Sequence, residues 1–190
     1  MDFVLAERAE SRDASERFTR ALELLGEAGL TARLSGIYAL DGLWHQSGQE
    51  ALHDAISEVL SAFVRRRARW EIGFAPPSTT PRDVLAALTA LGRAPQTSFG
   101  AERPLDLHGI ALREAYLPFC RFQRAFLYEC DLEGALLLGA NLRGAWLARA
   151  NLKRVNLDGA DLRGADLSGA RGIVVADLKD VRWDADTRWP

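Results

Sequence analysis

Apolar residues along this chain keep two rhythms. Upstream of about residue 95 they recur three and four positions apart, as on one face of an α-helix. From residue 105 they recur every five. Leu107, Leu112, Leu117, Phe122, Leu127, Leu132, Leu137, Leu142, Leu147, Leu152, Leu157, Leu162 and Leu167 follow without a gap. Two positions before each stands a second apolar residue, mostly small: Leu105, Ile110, Ala115, Cys120, Ala125, Cys130, Ala135, Ala140, Ala145, Ala150, Val155, Ala160 and Ala165.

A period of five matches neither the helix nor the flat strand. A helix would spread these leucines around every side. The pattern requires a backbone that turns a corner every five residues and returns one large and one small side chain inward each time. Gly109, Gly134, Gly139, Gly144, Gly159, Gly164 and Gly169 follow their leucine by two, where a corner needs permissive backbone. In the first coil Glu114, Phe119 and Arg124 stand there instead. Four corners close a square coil, and successive coils stack at about 4.8 Å.

Segments such as Ala160-Asp161-Leu162-Arg163-Gly164 and Ala165-Asp166-Leu167-Ser168-Gly169 resemble the pentapeptide repeat family, whose motif is small-polar-Leu-polar-Gly. The resemblance spans residues 105–172 and implies a β-solenoid, a right-handed quadrilateral β-helix of about three coils. Arg33–Leu40 and Glu58–Arg65 are similar to the helical segment that precedes the repeats in many bacterial members. Several of those carry membrane helices further upstream. The dozen or so residues ahead of the first helix expected here are too few to span a bilayer.

Start and stop signals place four helices before the repeat. Asp13-Ala14-Ser15-Glu16 reads as a capping box opening a helix that stops at Gly26. Thr31 caps a second, with Leu34, Ile37, Tyr38 and Trp44. Ser47-Gly48-Gln49-Glu50 is another capping box before Leu52, Ile56, Val59, Leu60, Phe63 and Val64. Thr80 before Pro81 starts a fourth, which Gly92 ends. The expected division is a helical N-terminal domain over 1–95, a linker over 96–104, the β-helix over 105–172 and a C-terminal cap over 173–190. A solenoid needs such a cap because its last coil exposes core and unpaired backbone.

Composition narrows the function. A net charge of −2 excludes a polybasic nucleic-acid binder, so no direct nucleic-acid contact is expected. With no apolar run of membrane length and no signal peptide at the start, a cytoplasmic protein without membrane attachment is expected. Phosphate loops, zinc spacings and nucleophile elbows are missing, so no cofactor, metal or catalytic residue is expected and the chain reads as a non-enzyme. His45, His53 and His108 lie far apart in sequence; His45 and His53, on neighbouring helices that could bring them together, read as two surface histidines without a third ligand. Cys120 and Cys130 take inward small-residue positions and read as small hydrophobes. Asp131, Asp161 and Asp166 read as solvated or turn-bonding, and Arg65-Arg66-Arg67-Ala68-Arg69 as a solvated helix end.

Residues twenty apart share a wall of the coil, which sorts the outward positions. One wall carries Phe126 above Trp146 with Tyr128 beside them; the opposite wall carries Tyr116, Phe119, Leu136 and Leu138. The other two are mainly polar. Outward apolar residues are expected to be covered: the helices are expected against one wall or the top of the coil, and association is expected to cover a wall they leave open. The reading is therefore an interaction module presenting a rigid surface to a protein partner or a second copy, with a homodimer the simplest outcome. One alternative is the gyrase-directed DNA mimicry that the resemblance brings with it. Another is an auxiliary protein of a biosynthetic or defence pathway. From residue 96 onward 13 basic and 13 acidic residues balance, which leaves no acidic wall to imitate phosphates.

Overall fold

The computed structural model describes residues 2–46, 50–70, 74–94, 104–173 and 178–190. Four helices come first: α1 (Asp2–Gly26), α2 (Leu30–Gln46), α3 (Glu50–Ala68) and α4 (Arg82–Arg93). Helix α1 begins well before the expected capping box, which lies inside it. There Arg12 pairs with Glu16 and Asp13 with Arg17, one turn apart, so these polar residues support the helix instead of starting it. Helix α2 starts at Leu30, one residue before Thr31. Residues 47–49 of the third capping box lie outside the described residues. Pro81, not Thr80, stands at the N-cap position of α4, without a side-chain capping bond.

Helices α1 and α2 cross closely at Gly36. A Cβ there would stand 2.7 Å from the Ala21 carbonyl oxygen, so only glycine allows the approach. Ile37, Leu40, Leu43 and Trp44 of α2, Ile56, Leu60 and Val64 of α3, and Val84, Leu88 and Leu91 of α4 fill the space between the helices.

From residue 105 the backbone forms no extended strand. It makes single parallel bridges twenty residues apart, in four ladders. The first wall runs Asp106–Phe126–Trp146–Asp166 and the second Ala111–Asp131–Asn151–Arg171. The third runs Tyr116–Leu136–Asn156 and the fourth Arg121–Asn141–Asp161. One bridge per side is all a five-residue side can hold, because a turn takes the rest. In the turns Ala115 N–H bonds to the Leu112 carbonyl at 3.2 Å, Ala135 to Leu132 at 2.9 Å and Ala165 to Leu162 at 2.9 Å. The residue two after each leucine holds a positive φ, and glycine is not required for it: Glu114, Phe119, Arg124, Glu129, Arg149 and Arg154 adopt φ of 55–61°. All thirteen residues of the Leu/Phe series are 2 % exposed or less. Among their small partners Val155 alone is half-buried.

The helices stack on the end of the coil, not against a wall. The first level has no earlier level to pair with, and the helices supply the missing partners. Ala111 N–H bonds to the Ala68 carbonyl (2.8 Å), Arg121 N–H to that of Gly92 (2.9 Å), and the Arg113 carbonyl accepts from Thr80 N–H (3.1 Å) and Thr80 Oγ1 (3.0 Å). Gly92 has to be glycine for this seat, since a Cβ would lie 2.9 Å from the Cβ of Cys120. Of the arginines at the end of α3, Arg65 and Arg67 are joints, whereas Arg66 is exposed as a solvated helix end would be. Arg65 donates to the Asp106 carbonyl at 2.7 Å, and Arg67 pairs with Asp83 at 3.2 Å.

At the far end the tail continues two ladders, Arg182 on Asp161 and Arg188 on Asp166. Thr187 Oγ1 donates to the Leu162 carbonyl at 3.0 Å, and Trp183 and Trp189 meet edge to face at 6.2 Å.

Candidate interaction surface

The helices take the top of the coil, one of the two seats expected for them, so both apolar walls stay open. On the first wall the Phe126 and Trp146 rings pack edge to face with centroids 5.2 Å apart, and Trp146 is 56 % exposed. Beside them Tyr128 stacks on His108 at 4.8 Å with planes 7° apart. His108 Nδ1 lies 2.6 Å from Asp106 Oδ1, which orients the imidazole against the tyrosine. Charges here are matched within the chain: Arg149 with Glu129 at 3.0 Å, Arg188 with Asp166 at 3.5 Å, Arg65 with Asp106 at 3.3 Å. The aromatic strip therefore stands in an electrostatically settled frame.

The third wall exposes Tyr116, Phe119, Leu136 and Leu138. Phe119 lies across Gly139, where a Cβ would come within 2.6 Å of the ring. Between this wall and α4 opens a cavity of about 300 Å³ lined by Thr89, Gly92, Arg93, Tyr116, Pro118 and Phe119.

The residue types that could carry chemistry serve the fold instead. Asp131 and Asp161 are buried, not solvated, each held by an arginine: Arg113 Nε at 3.0 Å and Arg163 NH2 at 2.6 Å. Both also accept a backbone N–H two residues on, from Glu133 and Arg163, as Asp166 does from Ser168. The hydrogen bond from Arg163, with further help from Arg182, holds the Asp161 carboxyl below its usual range despite burial. Burial pushes the thiols of Cys120 and Cys130 up to about 12, and Cys130 Sγ donates to the Leu107 carbonyl at 3.0 Å. They stay neutral thiols. His45 sits 3.4 Å from Asp41, His53 is buried on α3 and not at the surface as expected, and His108 belongs to the first wall. Among the described residues no three metal-ligating side chains form a group, and no helix is long and apolar enough to cross a membrane.

Comparison with known proteins bears on the repeat. A family model described as pentapeptide repeats matches residues 135–171 in eight copies. Rfr23, a pentapeptide repeat protein of the cyanobacterium Cyanothece, is 35% identical over 51% of this chain and 71% of its own, with a TM-score of 0.30. The chain belongs to the pentapeptide repeat family. A pentapeptide repeat protein of the Arabidopsis thaliana thylakoid lumen is 28% identical over 40% of this chain and 56% of its own (TM-score 0.23). HetL, a pentapeptide repeat protein involved in heterocyst differentiation regulation in Nostoc, is 26% identical over 40% of this chain and 46% of its own (TM-score 0.19). Among curated proteins the chain matches none.

Proposed function

We propose that the chain is a non-enzymatic interaction module whose repeat is a right-handed quadrilateral β-helix of about three coils. Helices over residues 1–95 close one end, and the tail over 173–190 closes the other. Its first wall, with Phe126, Tyr128 and Trp146, meets a protein partner or a second copy. The observation that carries this reading is the Phe126–Trp146 pair, left open on a wall whose charges are already matched. Large aromatics in such a position dominate interface energetics. One wall spans about 14 Å, three steps of about 4.8 Å, which is small against the roughly 800 Å² per partner of a standard stable interface. That favours an exchanging contact, or a partner that also reaches the helices.

Charge weighs against DNA mimicry: the fourth wall has an excess of arginine, and no wall of the repeat carries a large carboxylate surplus. The test compares the full chain with Trp146→Lys. Light scattering reads self-association, and capture from the native cell followed by mass spectrometry reads partners. Loss of either at an unchanged melting temperature supports the first wall. Capture of topoisomerase subunits equally by both proteins would move the reading to a gyrase binder.

A further inference from the structure

The fourth wall has a charge asymmetry that the other walls lack. Arg121, Arg124, Arg143, Arg163 and Arg182 stand there against two carboxylates, Asp161 and Asp184. Both carboxylates are engaged. Asp161 takes Arg163 at 2.6 Å and Arg182 at 3.4 Å, and Asp184 Oδ1 accepts N–H groups of Gly164 (2.8 Å) and Asp186 (3.1 Å). On the second wall, by contrast, Arg113 is taken up by Asp131 and Glu133, and Arg154 by Glu133. On the fourth, Arg124 and Arg143 are exposed and form no ion pair among the described residues; Arg121 gives NH2 to the Arg93 carbonyl at 3.2 Å.

We propose that this wall binds an acidic, extended segment of a protein partner, with Arg121, Arg124 and Arg143 taking its carboxylates. A guanidinium presents a planar fork that matches a carboxylate in two parallel hydrogen bonds. Arg121 and Arg124 stand on one level and Arg143 on the next, about 4.8 Å along the coil, a site for a segment of about two or three extended residues. Carboxylates on one face of such a segment recur every 7 Å or so, which brings two of them within reach of the three cations. A nucleic acid fits less well. Long polyanions respond to the field of the whole molecule, and this chain carries −2 overall. About three uncompensated cations would neutralise only about three phosphates, a weak and strongly salt-dependent grip. This inference concerns a different wall from the aromatic one and stands independently of it.

Fluorescence anisotropy with the full chain tests it, using a labelled peptide of alternating glutamate and serine, its lysine counterpart, and a single-stranded oligothymidylate. The acidic peptide should bind, more weakly at high salt, and the lysine peptide should not. Arg124→Glu with Arg143→Glu should lower its affinity about tenfold or more at an unchanged melting temperature, while Lys153→Glu on the second wall stays within about twofold. If the double reversal unfolds the protein, Arg124→Gln with Arg143→Gln keeps the side-chain stems and should weaken binding in the same direction. Failure of the acidic peptide to bind, binding that neither pair of changes weakens, or tighter binding of the oligothymidylate would overturn the proposal.

Discussion

The Asp83 carboxylate accepts Arg33 Nε at 2.7 Å while itself only 1 % exposed, which ties the first turn of α4 to α2. Arg67 of α3 reaches the same oxygen at 3.2 Å, so one buried acid joins three helices. Burial alone would raise its pKa. The hydrogen bond from Arg33, the charge of Arg67 and the N–H of Val84 outweigh that and hold it below the ordinary carboxylate value.

A carboxyl with a depressed folded-state pKa lends stability that is fully present above the ordinary carboxylate range. That stability is lost as pH falls through the lowered value. Asp83→Asn should therefore cost about 3 kcal/mol near neutral pH by leaving two arginines without their anion. The gap between the two proteins should close as the solution is acidified. Urea melts at neutral and acidic pH measure both effects; a gap that does not shrink would contradict the assignment.

Inside the coil, Leu142 and Leu147 are sealed between levels at 0 % and 1 % exposure. Truncating either to alanine should cost about 2–5 kcal/mol, the range for buried leucines whose surroundings relax only partly. Denaturant unfolding followed by circular dichroism gives the value.

The turns allow a sharper comparison. Arg124 holds φ at 61° without being glycine. Arg124→Gly relieves a left-handed penalty of about 1 kcal/mol at some cost in unfolded-chain entropy and should be close to neutral. Arg124→Val adds a branched Cβ in the same conformation and should be clearly destabilising. Thermal melts of the two variants should separate in that order.

Removing the helices should do more than shorten the protein. Residues 104–190 alone would expose the Ala111 and Arg121 N–H groups and the Arg113 carbonyl that Ala68, Gly92 and Thr80 now satisfy. Such an edge is a template for another chain, so the fragment should aggregate. A monomeric, folded fragment in light scattering would show that the helical cap is dispensable.

What residue order makes legible is whatever a fixed period dictates. Leu142 and Ala140 point inward, and Trp146 lies over Phe126, because a twenty-residue step leaves them no other place. The same step sorts the outward aromatics onto their two candidate walls. The seat of the helices is not legible in that way. It depends on which carbonyls and N–H groups the first level leaves unpaired, and those belong to backbone, which leaves no mark in residue type. The roles of Arg65, Arg67 and Asp83 are hidden for a related reason: each becomes a joint only when distant elements meet. The early start of α1 is masked because a polar cluster at Asp13–Glu16 imitates a cap, although its side chains pair along the helix.

The tail departs from the twenty-residue step. Arg182 lies over Asp161 after twenty-one residues and Arg188 over Asp166 after twenty-two, whereas every ladder above keeps to twenty. The extra residues lie between the rungs, so the tail still lies over the fourth and first ladders, and the other end is occupied by helices. The parallel edge that would invite fibre growth is thereby reduced at both ends. Length becomes a free variable between two fixed closures: inserting or deleting twenty residues would add or remove one storey while both closures stayed intact.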